Sequence, residues 1–318
     1  MKDTFSHIVK RKIIDWFKTI KLYRYYRLKL RTLQLPTKLI IVMLDGRMLH
    51  GGLSDRFWGI VSTYKYCKEH NISFKINFSS PYSLETYLLP RKVDWLIAPS
   101  EIRYSFPLSK PHYMSMVYYN RENMYRYASK ILYRKCHQLH LYTNMRAVAD
   151  NEFQLLFHEL FKMSPKLEQS VNYIRTKIGS NYISITFRFQ QLLGDFKEGN
   201  FPILSCTSEK KRLIGKCITT VKQIIKHHNC RVLVTSDSIS FLEQVRTLKN
   251  VFVIPGKVVH LDFNPTQEYK VHEKSFLDLF LISMADDIYL ANFKPLYHSG
   301  FPMTAALIGG KRYHEISM

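Results

Sequence analysis

Acidic residues are scarce in this sequence. Of its 318 residues only 25 are Asp or Glu, against 47 Lys or Arg, and the formal net charge is +22 at pH 7. A field of that sign concentrates anions, so nucleic acid, anionic lipid and phosphorylated small molecules are the partner classes to weigh. No apolar run approaches the roughly 18 residues of a membrane span. Lys10 to Lys12 lead into a broken stretch rather than the apolar segment of a signal peptide, so a cytoplasmic chain is expected. The cysteines, Cys67, Cys136, Cys206, Cys217 and Cys230, are odd in number and have no close paired spacing. That excludes a zinc-ribbon pattern and leaves reduced, structural thiols. Asp-x-Asp, a short motif that holds a diphosphate through a cation, occurs nowhere. Wherever a diphosphate binds, a side-chain cation must then take the metal's part.

The charge is unevenly placed. Residues 1–35 carry ten Lys or Arg against Asp3 and Asp15, a net +8 within that segment. Ile13, Trp16, Phe17, Ile20 and Tyr23 recur there at helical spacing, which sets an aromatic stripe beside a basic face. An interfacial anchor on an anionic membrane surface and a solvated helix packed on the protein's own body both fit this pattern.

Beyond Pro36 the chain reads as two consecutive α/β lobes. A buried strand at residues 38–44 (KLIIVML), a loop with Gly46, Gly51 and Gly52, and a helix over 53–69 open the first. Strands at 73–78, 95–98 and 140–143 and a helix over 152–162 continue it. The pattern restarts near Ser164, with strands at 182–187, 231–235, 251–254 and 288–290 and helices over 207–228, 239–248, 273–285 and 299–308. The expected organisation is therefore a basic amphipathic segment over 1–36, a Rossmann-like lobe over 37–165 for an acceptor, and a Rossmann-like nucleotide-binding lobe over 166–318. Strand ends in such lobes bind small polar ligands.

Four segments could carry chemistry. In HGGLSDRF (50–57), Gly51 and Gly52 precede a helix whose first amides could face an anion, although tight turns need glycine anyway. In residues 183–205 (ISITFRFQQLLGDFKEGNFPILS), Arg188 ends an otherwise hydrophobic strand. A guanidinium there is costly unless paired, and its planar fork suits phosphate; a structural ion pair with Asp195 or another acid is the alternative. In VLVTSD (232–237) a buried strand ends in polar residues, of which Asp237 can meet a nucleotide or cap the next helix. In residues 278–310, Asp286 and Asp287 precede a strand and Ser299 opens a helix whose amides could hold a phosphate.

In order and spacing these islands resemble the fucosyltransferase superfamily, which spans bacterial α1,2- and α1,6-fucosyltransferases and protein O-fucosyltransferases. The counterparts are GGLSDRF, TFRFQQLLGDF, VTSD and MADDIYLANFKPLYHSGF, over a layout covering residues 38–310. The resemblance implies a GT-B fold, inverting transfer from GDP-fucose to a glycan acceptor, and no essential metal or other cofactor. It places Arg188 on the β-phosphate, Asp237 on the nucleotide, Asp286 near the guanine, Ser299 on a phosphate, and Gly51 and Gly52 across the donor. Thr186 stands where the family motif has histidine, and five residues separate Arg188 from Gly194 where the compact motif has one. Inversion needs a base for the acceptor hydroxyl. Glu198, Asp195 and Asp55 are the candidates, with Glu198 favoured because α1,6 enzymes carry a comparable glutamate before a segment like Phe201-Pro202-Ile203. The acceptor fits a glycan or lipid-linked glycan of cell-surface polysaccharide synthesis.

Three rivals stand beside this reading. One is a GT-B transferase using another nucleotide sugar. Another is a nucleic-acid-binding protein, motivated by the charge with 21 Tyr and 20 Phe, but no known nucleic-acid motif occurs and many aromatics fall at core spacing. The third is a non-catalytic membrane scaffold of the same fold.

Overall fold

The computed structural model describes residues 2–29, 38–115, 121–196, 199, 201–263 and 266–317. The boundary expected at residue 36 lies outside them. The chain forms two compact units, one of 1–84 with 90–162, the other of 85–89 with 163–318.

The first unit is built on four parallel strands, β1 (Leu39–Leu44), β2 (Ser73–Phe78), β3 (Ser109–Met114) and β4 (Gln138–Thr143), in spatial order β2-β1-β4-β3. Ile40 to Leu44 are fully buried, as a continuous apolar run in a parallel sheet requires. Helices α1 (Lys2–Tyr23), α2 (Leu53–Glu69), α3 (Arg121–Leu132) and α4 (Asp150–Leu160) belong to this unit. Gly59 lets α2 lie against the sheet, since a Cβ there would sit 2.3 Å from the Thr143 carbonyl oxygen. The strand expected at 95–98 is absent: the Trp95 indole donates to the Leu160 carbonyl (2.8 Å) and its own carbonyl accepts from Ile76 (2.8 Å). β3, with Lys110, Pro111 and His112 in its middle, takes the edge position instead.

Three histidines are enclosed in this unit. Burial lowers His50, His112 and His140 each to about 3, aided by the positive charges of Arg56, Arg134 and Arg47 respectively. Folded values below the unfolded ~6.5 mean that the stabilisation is complete above pH 6.5 and is lost as pH falls toward 3. Asp15 and Asp45, pushed up by burial, act in the opposite sense, adding stability as pH falls through their folded values. All three tryptophans, Trp16, Trp58 and Trp95, lie in this unit, so their emission reports its unfolding. Urea unfolding followed this way should lose about 1–2 kcal/mol per histidine between pH 7.5 and pH 5. A flat profile would contradict the burial of neutral imidazoles.

The second unit is a five-stranded parallel sheet: β5 (Tyr182–Phe187), β6 (Arg231–Ser236), β7 (Val251–Phe252), β8 (Asp287–Ala291) and β9 (Arg312–Ile316), in order β7-β6-β5-β8-β9. Counted from β5 that is third, second, first, fourth, fifth, the doubly wound order. Its helices are α5 (Pro165–Ile178), α6 (Thr207–His228), α7 (Ile239–Val245), α8 (Tyr269–Ser283) and α9 (Phe301–Gly309). Ser164 caps α5 by accepting the Leu167 amide, with Pro165 at the first helical position. β5 is wholly buried at the centre, and Ile183, Ile185 and Phe187 pack with Val232, Val234, Cys217 and Val221 in one core. Residues 85–89 join this unit through Tyr87, whose ring stacks on Tyr269 and Phe276 at centroid distances of 4.9 and 4.4 Å.

Candidate functional site

The strand order of the second unit reverses between β5 and β8. Beyond the carboxyl ends of these two strands the outgoing connections diverge to opposite faces and leave a crevice, where open α/β sheets place their ligands. Arg188 is the first residue past β5, and its backbone carbonyl accepts the amide of Tyr297 (2.9 Å) from the segment that follows β8. The backbones flanking the switch point are thereby tied together at the arginine.

Asp237 fixes the arginine from below. It follows β6, whose last residue Ser236 is in register with Phe187 at the end of β5. Its carboxylate accepts from the amides of Phe189 (2.9 Å, Oδ1) and Gln190 (2.7 Å, Oδ2), and Arg188 Nη1 lies 3.0 Å from Oδ2. The Asp237 side chain is 1% exposed and that of Arg188 20%. Burial pushes the Asp237 carboxyl up, while the guanidinium and the two amides work to hold it ionised. Asp237, expected on the nucleotide, grips the segment after β5 and sets the direction of Arg188. The guanidinium also lies over the Phe196 ring, 5.0 Å from its centroid, a geometry that favours a fixed cation.

The widened spacing between Arg188 and Gly194 has a packing cause. Phe189, Leu192 and Leu193 are buried in the unit's core, and Leu192 donates to Phe189 while Leu204 donates to Leu192. Gln190 takes a left-handed conformation (φ +51°) at the turn this requires. Asp195 at the far end of the insertion is committed elsewhere. Its Oδ2 accepts from Ser238 Oγ (2.8 Å), Ser240 N (2.8 Å) and Ser240 Oγ (2.5 Å), at the start of α7. Asp195 thereby ties the segment after Arg188 to the start of α7. Glu198 lies outside the described residues.

Thr186, which replaces the motif histidine, is buried and shares a hydrogen bond with Thr235 directly opposite on β6 (2.8 Å). Ser299 is on the same sheet end as Arg188, but the helix expected to start there begins at Phe301, whose amide donates to Ser299 Oγ (3.3 Å). Asp286 is not brought to this site. It precedes β8 and donates its amide to the carbonyl of Tyr182 at the start of β5, about 20 Å along the strand from Arg188. Its neighbour Asp287 is buried and pairs with Arg312 (2.9 Å) and His314 (3.0 Å) on β9.

Gly51 and Gly52 follow β1 in the first unit. Gly51 has φ +81°, which its lack of a Cβ permits, and its carbonyl accepts from Nε of the fully buried Arg56 (3.1 Å). The Gly52 amide, expected to face an outside anion, donates to the carboxylate of Asp55 (3.3 Å). Asp55 thus serves its own helix. Sequence reading missed a second arginine at this sheet's carboxyl end. Arg47 lies 3.4 Å from Asp45 and over the rings of Tyr25 (4.5 Å) and Tyr104 (4.1 Å), while Tyr142 donates to Asp45 (3.1 Å). Only the run Asp45-Gly46-Arg47 directly after a strand could have pointed to it.

No protein-family model matches the chain, and no curated protein matches its sequence. Solved structures do match in fold. The α-1,6-fucosyltransferase NodZ soaked with GDP-fucose aligns with a TM-score of 0.55 at 11% identity, over 86% of this chain and 93% of that one. NodZ from Bradyrhizobium gives 0.56 at 12% identity, over 86% and 92%. A mutant of FUT1 from Arabidopsis thaliana in complex with GDP gives 0.55 at 12%, over 94% and 74%. The fold is therefore of the GT-B type, two α/β units with parallel sheets. Among the described residues no group of three or more His, Cys, Asp or Glu could hold a metal ion, and no helix is long and apolar enough to cross a membrane.

Proposed function

We propose that this protein is a metal-independent, inverting glycosyltransferase that takes its sugar from a nucleoside diphosphate, GDP-fucose by the motif resemblance, and passes it to a glycan acceptor in the cytoplasm. The observation that carries the reading is Arg188, one-fifth exposed at the switch point of the second unit's sheet and clamped by a buried carboxylate. In the proposed reaction the acceptor oxygen bonds to the anomeric carbon as the bond to the β-phosphate oxygen breaks. Negative charge then grows on the departing diphosphate, where a guanidinium already held in place stabilises it without reorganisation. A carboxylate takes the acceptor's proton. Glu198 remains the proposed base, since Asp195 and Asp55 are bonded to helix starts. Ser299, on the same sheet end, is kept as a phosphate contact.

Thermal unfolding with a panel of GDP- and UDP-sugars in the presence of EDTA tests donor and metal-independence together. A donor at about 100 times its Kd adds about 2.7 kcal/mol, which should raise the Tm of the second unit by about 5–10 °C. A response to GDP-fucose with EDTA present is the expected result. A response confined to UDP-sugars would overturn the donor, and one that requires divalent cations would overturn the metal-independence.

A further inference from the structure

The N-terminal helix packs on its unit through Asp15, Thr19 and Leu22 and turns a stripe of apolar side chains outward. On the inner side Asp15 accepts the Ser115 amide (3.0 Å) and hydroxyl (2.8 Å), and Thr19 Oγ1 accepts the Tyr113 amide (3.0 Å). Tyr113 lies in the edge strand β3 and Ser115 immediately follows it, so α1 supplies acceptors for alternate outward-facing amides of that edge. Leu22 is buried beside them, and Lys18 donates to the Tyr113 hydroxyl (3.0 Å).

On the outer side Val9, Ile13, Trp16, Phe17 and Ile20 are exposed, Trp16 at 58% and Phe17 at 54%. At about 100° per residue these five fall within about 100° of arc, a continuous stripe. Lys10 and Lys21 flank it on one side and Lys12 on the other, all exposed. Two aromatics and three aliphatics facing solvent oppose ordinary packing, where such a stripe would be buried and Asp15 and Thr19 exposed.

We propose that this stripe is a membrane-docking surface that enters the headgroup region of a bilayer carrying anionic lipids. Charge complementarity selects that occupant: the stripe is rimmed by cations within a segment of net charge +8. Trp and Phe suit the boundary between headgroups and acyl chains, where an interfacial helix sinks about 5–10 Å. A second copy of this chain would bring the same basic rims face to face. The surface is independent of Arg188, so vesicle binding and sugar transfer can fail separately.

The test uses the full chain with phosphatidylcholine vesicles, with and without about 30% phosphatidylglycerol. Trp58 and Trp95 are buried, so Trp16 is the tryptophan that lipid can reach. Sedimentation with the anionic vesicles and a blue shift of its emission are expected, both weakening with salt. Replacing Ile13, Trp16 and Phe17 together by Ser should reduce binding at least ~10-fold while the circular dichroism spectrum is kept, since all three are exposed. Lys10→Glu with Lys21→Glu should abolish the preference for anionic vesicles. Equal binding to neutral vesicles, or binding unchanged by the triple replacement, overturns the proposal. So does dimerisation that the triple replacement abolishes in a chain that ignores vesicles.

Discussion

Arg188→Ala should lower sugar transfer by about 10²–10³-fold and remove the thermal response to the donor. That is the scale on which a pre-aimed charge stabiliser acts in a transition state. Arg188→Lys should recover only part of the loss, because an ammonium keeps the charge but not the planar fork that bonds two phosphate oxygens at once. The variant also carries a stability signature. Without the guanidinium, Asp237 is a buried carboxyl whose elevation by burial is less opposed. A folded pKa above the unfolded one gives stability that is present at low pH and lost as pH rises through the folded value. The stability deficit of Arg188→Ala relative to the parent should therefore shrink from pH 7.5 to pH 5.5. Transfer within threefold of the parent, or a deficit that grows on acidification, would remove Arg188 from the role proposed for it.

How much of this was readable before the fold was known varies with the range of the interaction. Ser73–Phe78, Tyr182–Phe187 and Thr207–His228 form over the same residues that periodicity indicates, because each is a local pattern bounded by turn residues. β3 escaped because Lys110, Pro111 and His112 interrupt its apolar character, and β9 because it is a largely exposed edge. Arg188 could be singled out because a cation at the end of a buried strand is anomalous in sequence alone. The sequence leaves its partner open between Asp195, seven residues on, and another acid; the pair forms with Asp237, forty-nine residues away and just past the neighbouring strand. Register between parallel strands decided that, and no local pattern encodes it. Asp286 was displaced for a related reason: an acid before a strand lies at the sheet end opposite an arginine after one, whenever the two strands run parallel.

Asp237→Asn puts the clamp itself to the test. The carboxylate satisfies two backbone amides and one guanidinium, all donors. An asparagine offers one carbonyl oxygen and turns an NH₂ toward the remaining donors, so at least one buried amide loses its acceptor and the cation loses its counter-charge. Stranding a buried donor costs about 1–3 kcal/mol, and breaking a buried ion pair on one side about 3–5. Because Arg188 is partly solvated, a total near 3 kcal/mol is expected, read as a fall in the Tm of the second unit. Donor binding should weaken as well, since an arginine free to choose its rotamer must be ordered at the moment of binding. A purely structural role for Asp237 predicts lower stability with donor affinity and turnover intact below the melting range. The double variant Arg188→Leu with Asp237→Asn separates the two. If the carboxylate acts through the arginine, the double variant loses less stability than the sum of the single ones and transfers sugar no worse than the arginine variant alone. Strict additivity in both would mean that Asp237 and Arg188 are neighbours without being a unit.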